Sequence, residues 1–80
     1  MAKIKVLVAA GVDFPDAVKA ALGMTIREFA EKWGLAESAV SAVINGSTPH
    51  PYRRIRAALA EELGVETAWI DEQLERRKAA

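Results

Sequence analysis

The residues able to do chemistry in this chain of 80 are few. There is one histidine, His50, and no cysteine, so neither a thiolate metal site nor a histidine cluster can be assembled. No acid and base are spaced as a cleft would need them. The reading is therefore non-enzymatic, with no catalytic residue, no metal and no cofactor. Two other patterns stand out. Between Glu37 and Asn45, the residues Glu37, Ser38, Ser41, Ala42 and Asn45 share one helical face, opposite Val40, Val43 and Ile44. They are short and mostly polar, where a solvated face normally carries Lys, Glu and Arg. Short side chains let a helix axis approach another surface closely, as a helix in the major groove of DNA must. The second pattern is Arg53, Arg54 and Arg56 at the start of a helix. Positive charge is unfavourable there unless an external anion offsets it.

The elements that must position these residues have their own signals. Thr25 followed by Glu28 is a capping box, with Met24 and Phe29 placed as a hydrophobic staple. Ile26, Phe29, Ala30 and Trp33 recur at helical spacing. Gly34 stops this helix, predicted over about 25–33, where a left-handed backbone is needed. The helix carrying the short polar face follows, over about 36–45, and ends at Gly46. Upstream, Asp13 or Phe14 caps a helix with Pro15 in its first turn, an apolar stripe of Phe14, Val18, Ala21 and Leu22, and a stop at Gly23. Downstream, Tyr52, Ile55, Leu59 and Leu63 form the stripe of a further helix that stops at Gly64. Thr67 is read as the cap of a last helix from Ala68 to about Lys78, with Trp69 in the core and a Glu72–Arg76 pair.

This order resembles the helix-turn-helix of phage Cro and lambda-type repressors. The likeness is carried by T-x-x-E-F-A-x-x-x-G-L from Thr25 to Leu35, by Ile44-Asn45-Gly46, by a Pro-bearing loop, by RAALAEELGV from Arg56 and by Trp69-Ile70. It covers about Phe14 to Asp71. The Phe14–Val18 segment and the late Trp69-Ile70 are also similar to the Ner-type phage regulators. The resemblance implies an all-α, compact five-helix lambda-repressor-like domain over 13–80, with the helix at 36–45 as recognition helix.

On that reading Glu37, Ser38, Ser41, Ala42 and Asn45 are candidates to read bases. Thr25, Arg27, Ser47, Thr48, His50, Arg53 and Arg54 are candidates for the DNA backbone. Alternatives stand beside several of them. Arg27 is either a phosphate contact or a solvated charge paired with Glu31. Glu37 either accepts from a cytosine amine or serves the helix start. Asn45 reaches a phosphate or caps its helix. His50 is a structural residue at the start of the fourth helix, or a phosphate contact. Arg53 and Arg54 bind phosphate or pair with Glu61 or Glu62, and Arg56 is left open. The family often has glutamine where this chain has Ile26, and Ser or Thr where it has Ala36. The missing cap at Ala36 costs about 1 kcal/mol, and Ser38 is the residue placed to compensate.

Composition bounds the rest. The chain is long enough for one domain, close to the size where a core is marginal. Its net charge is zero, but residues 1–60 hold eight bases against five acids, 61–75 hold six acids and no base, and 76–78 are all basic. A neutral total thus conceals a basic front, and phosphate contacts act locally. Lys3 and Lys5 before an apolar run faintly echo a signal peptide, but the run is short and Asp13 and Pro15 follow, so a cytoplasmic location is expected. Residues 1–12 read as an extended arm or short strand, as a first helical turn, or as a frayed terminus. A single strand must pair, and a second copy of the chain is the nearest partner. Ile4, Val6 and Val8 there, with Leu74 in the last helix, are the candidate contacts of a homodimer.

The function expected is a sequence-specific DNA-binding transcriptional regulator of phage type, a repressor acting by promoter occupancy on double-stranded DNA. No membrane and no small-molecule ligand are expected, since the chain leaves no room for a separate ligand domain. The alternatives are a DNA-binding subunit of a phage packaging or recombination complex, and a protein-interaction module on the same scaffold.

Overall fold

The helices are set by apolar stripes, and four of them are closed by a glycine that can turn the chain. In the computed structural model, which describes residues 2–48 and 52–79 with side chains through Arg76, six helices follow one another. They are α1 (Lys3–Ala9), α2 (Phe14–Leu22), α3 (Ile26–Trp33), α4 (Glu37–Asn45), α5 (Arg53–Leu63) and α6 (Thr67–Ala79). No strand occurs among the described residues. The Cα radius of gyration is 11.4 Å, close to the roughly 12 Å expected for a folded chain of this length.

The N-terminal segment corrects the arm-or-strand expectation, because it is helical. The physical reason lies in its pattern. A strand would place Ile4, Val6 and Val8 on one face, whereas a helix groups Ile4, Leu7 and Val8. The second grouping is the one buried: Ile4 is fully enclosed, Leu7 and Val8 pack against the core, and Val6 is left 52% exposed. α2 supplies the surface that α1 packs on, so no second chain is needed to pair it.

Four helix ends share one device. The amide two residues beyond the end of α3, α4 or α5, or three beyond α1, reaches back across the last turn in a six-to-one bond. These bonds run from Val12 N–H to Leu7 O (3.1 Å), Leu35 N–H to Ala30 O (2.8 Å), Ser47 N–H to Ala42 O (3.0 Å) and Val65 N–H to Ala60 O (2.9 Å). At the last three a glycine, Gly34, Gly46 or Gly64, holds the left-handed conformation the closure requires. The connections are therefore short.

The core lies where the helices converge. Phe14, Ala17 and Val18 of α2, Phe29 and Ala30 of α3, Val40, Val43 and Ile44 of α4, Ile55 and Leu59 of α5, and Ile70 and Leu74 of α6 are all buried. Trp69 packs against Phe14 with ring centroids 6.3 Å apart. Lys5 Nζ stands 5.9 Å from the Trp69 ring, a cation–π contact that ties α1 to α6. Leu74, read as a dimer contact, is spent on the monomer's own core, as is Ile4. α6 packs against α5, and Leu74 is buried.

Two boundaries also move. Thr67 is the first residue of α6 instead of its cap; the amides of Trp69 and Ile70 both donate to the Glu66 carbonyl. Tyr52 is the cap of α5 and lies outside its stripe. It holds φ 43° and ψ 58°, a left-handed backbone that a tyrosine adopts at a cost of about 1 kcal/mol or more. Tyr52 packs against the core. Ala58 and Ala60 complete the buried side of α5 in its place. The reading of His50 lies outside the described residues.

Candidate nucleic-acid interface

The site is built from two adjacent helix starts and the turn between them. At α3 the capping box is complete. The Glu28 N–H donates to Thr25 Oγ1 at 3.1 Å, and the Thr25 N–H donates to Glu28 Oε1 at 3.0 Å. Hydrogen bonding to the carboxyl by the Thr25 backbone N–H, and then by the Thr25 side chain, holds Glu28 below its ordinary pKa. The amides of Ile26 and Arg27 remain without a partner among the described residues. They point out of the positive end of the helix, where an anion is favoured. Arg27, beside them, forms an exposed pair with Glu31 at 3.3 Å.

α4 begins differently. Ala36 occupies its cap position and no side chain caps it. Ser38 is therefore not engaged in compensating for the missing cap. The first intrahelical bond is Val40 N–H to Ala36 O at 3.0 Å, so the amides of Glu37, Ser38 and Ala39 have no partner among the described residues. Glu37, in the first turn, suits the positive helix end.

Gly34 joins the two helices with φ 66° and ψ 39°. Leu35 then packs back on the core, which fixes the direction in which α4 leaves. Because Val40, Val43 and Ile44 are buried, the opposite face is set. Glu37, Ser38 and Asn45 are exposed, and Ser41 and Ala42 half-exposed. These five expected base-reading residues thus share one open face. Asn45 Nδ2 donates to Ser41 Oγ at 3.3 Å, a local bond that orders the end of that face. Ser47 is occupied at the helix end, where its amide and its hydroxyl both donate to the Ala42 carbonyl, the hydroxyl at 3.4 Å. Thr48 is half-exposed beyond it.

The three arginines of α5 do not form one cluster. Arg53 and Arg54 are both exposed, but they diverge. Arg53 lines a cavity between α5 and the start of α6, with Arg56, Thr67 and Asp71. Arg54 reaches the α3–α4 turn: its Nη2 lies 3.9 Å from where a Cβ on Gly34 would stand. There it faces the negative end of α3, a role that residue spacing did not reveal. Arg56 is structural. Its side chain is only 12% exposed, and Nη1 donates to Asp71 Oδ1 at 2.8 Å. Its Nε is buried without a partner.

One further cluster holds α3 in place. Glu62 Oε1 accepts from Lys32 Nζ at 2.6 Å and from Trp33 Nε1 at 3.1 Å. The Lys32 and Trp33 hydrogen bonds, in that order, lower the Glu62 pKa. Neither this cluster nor the Arg56–Asp71 pair has a local sequence signal, because the partners stand 15 to 30 residues apart.

Among the described residues no group of three or more His, Cys, Asp or Glu is placed to hold a metal. No helix among them is long and apolar enough to cross a membrane. Comparison of the chain with family profiles, with curated proteins and with solved structures returned no match.

Proposed function

We propose that the chain is a sequence-specific DNA-binding regulator of transcription that inserts α4 into the major groove and represses by occupying promoter DNA. One observation carries this reading. α4 buries its three large apolar residues and turns outward a face of Ser38, Ser41, Ala42 and Asn45, with Glu37 at its start. That face is short enough for close approach to base edges. The unbonded amides at the start of α3, together with Thr25 and Arg27, are suited to a flanking phosphate. Arg53 supplies a further cation. The resemblance to phage Cro, lambda-type and Ner-type regulators supports the same assignment, and with it a five-helix unit of α2 to α6 acting as a homodimer on paired half-sites.

The test is a mobility shift on the DNA upstream of the protein's own gene, at two salt concentrations and against random competitor. Competitor-resistant binding that weakens with salt is the expected result. Weak binding to any DNA would favour a subunit of a packaging or recombination complex. Absence of binding at low salt would favour a protein-interaction module. That second reading has its own observation: Arg27 and Arg54 both turn toward the protein, one to Glu31 and one to the α3–α4 turn.

A further inference from the structure

One buried polar side chain lies outside the α3–α4 face. Gln73 of α6 is 7% exposed and is the one buried polar residue among those described. Its side-chain amide makes no hydrogen bond among them, and its polar atoms stay open to solvent through a cavity.

Gln73 lines a cavity of about 380 Å³ where the end of α1, the start of α2 and α6 meet. Val8, Val12 and Phe14 give it an apolar wall, and Asp13 and Arg76 also line it. Asp13 is the cap residue of α2 but makes no cap bond with its side chain. Arg76 is paired with Glu72 at 2.9 Å. The lining thus carries one carboxylate and one guanidinium, whose charges balance, so neither a free anion nor a free cation is favoured. The Gln73 amide presents a donor and an acceptor side by side, and its natural complement is another amide.

We propose that this cavity binds a small uncharged molecule with an aliphatic body and a carboxamide or lactam group, paired to the amide of Gln73. The expectation of no ligand rested on the lack of a separate ligand domain; here the cavity lies inside the domain itself. None of its residues belongs to the α3–α4 face, so the inference stands or falls independently of DNA binding.

The test is an NMR titration of the full chain with hexanamide, alongside 1-hexanol, hexanoate and hexylammonium as probes of matched length. Hexanamide is expected to give saturable shifts at Val8, Val12, Phe14 and the Gln73 amide, with a dissociation constant in the millimolar range. The alcohol should bind roughly tenfold more weakly, the worth of one net hydrogen bond, and hexanoate not at all. In Gln73→Leu the preference for the amide over the alcohol should vanish. Absence of saturable shifts with hexanamide would overturn the proposal, as would equal binding of the alcohol. Tighter binding of hexylammonium would assign recognition to Asp13 and also overturn it. The comparison of the four probes on the unaltered chain decides the matter even if the variant does not fold.

Discussion

The polar contacts of the α3–α4 unit and those around α5 are built on opposite plans. On α3 and α4 they are local and exposed: Thr25 with Glu28, Arg27 with Glu31, and Ser41 with Asn45. Around α5 they are distant in sequence and, apart from the exposed Lys32–Glu62 bond, partly buried: Arg56 with Asp71, and Glu62 with Trp33. A local exposed bond contributes little and can be exchanged for a ligand cheaply. A long-range buried one fixes how helices sit and is expensive to break. The face proposed to meet DNA is made of the first kind, and the frame that holds it is made of the second.

The largest expected effect tests the frame. Removing Asp71 strands the Arg56 guanidinium, which is 12% exposed, without its partner. Asp71→Ala should therefore lower stability by about 2–4 kcal/mol. Arg56→Met removes the charge together with the buried, unpartnered Nε, and should cost less than about 1 kcal/mol. Urea unfolding of both variants checks the asymmetry. Equal losses would mean that the pair contributes chiefly by packing.

The next effect contrasts the two helix starts. Thr25→Ala breaks a complete capping box and should destabilise by about 1 kcal/mol. Ala36→Ser adds a cap where none exists and should stabilise by a similar amount. If the unbonded amides of α4 face phosphate in a complex, the same serine should also weaken DNA binding, because its hydroxyl would already occupy one of them. A variant that is more stable and binds equally well would separate the start of α4 from the DNA backbone.

Protonation probes both plans together. Glu28 and Glu62 have folded pKa values lowered from 4.5. A lowered folded pKa means that the stabilisation is complete above the unfolded value and disappears as pH falls through the folded one. Stability should thus decline from about pH 5 downward. Glu62→Gln and Glu28→Gln should each flatten that decline, measured by thermal unfolding across the acid range. A slope unchanged in the double variant would place the acid sensitivity on other carboxylates.

How far the sequence could be read follows the same division. The capping box, the Gly34 stop and the buried triad of α4 are patterns within one or two helical turns, and they stand where spacing put them. Residues 1–12 were ambiguous because Ile4, Val6 and Val8 alternate while Ile4, Leu7 and Val8 recur at helical spacing. Only the presence of α2 decides between the two. Arg56 could not be separated from Arg53 and Arg54 by residue type, since its burial depends on where α6 crosses α5. Gln73 reads as an ordinary polar residue of a mixed helix until α1 and α2 close around it.

The smallest expected effect on stability should accompany a clear effect on binding, and it concerns Arg27. The Arg27–Glu31 pair spans one helical turn with both side chains largely in solvent, so Arg27→Ala and Glu31→Ala should each change unfolding stability by no more than about 0.5 kcal/mol. The two differ once DNA is present. A phosphate that takes Arg27 from Glu31 gives up little, and deleting Glu31 frees the arginine in advance. Arg27→Ala should therefore weaken binding across sequences and reduce the slope of log affinity against log salt by about 1, whereas Glu31→Ala should leave that slope intact and strengthen binding. If both variants bound as the parent does, the cation beside the open amides of α3 would belong to the free protein's surface alone, and the backbone contact would have to come from Arg53 and the amides themselves.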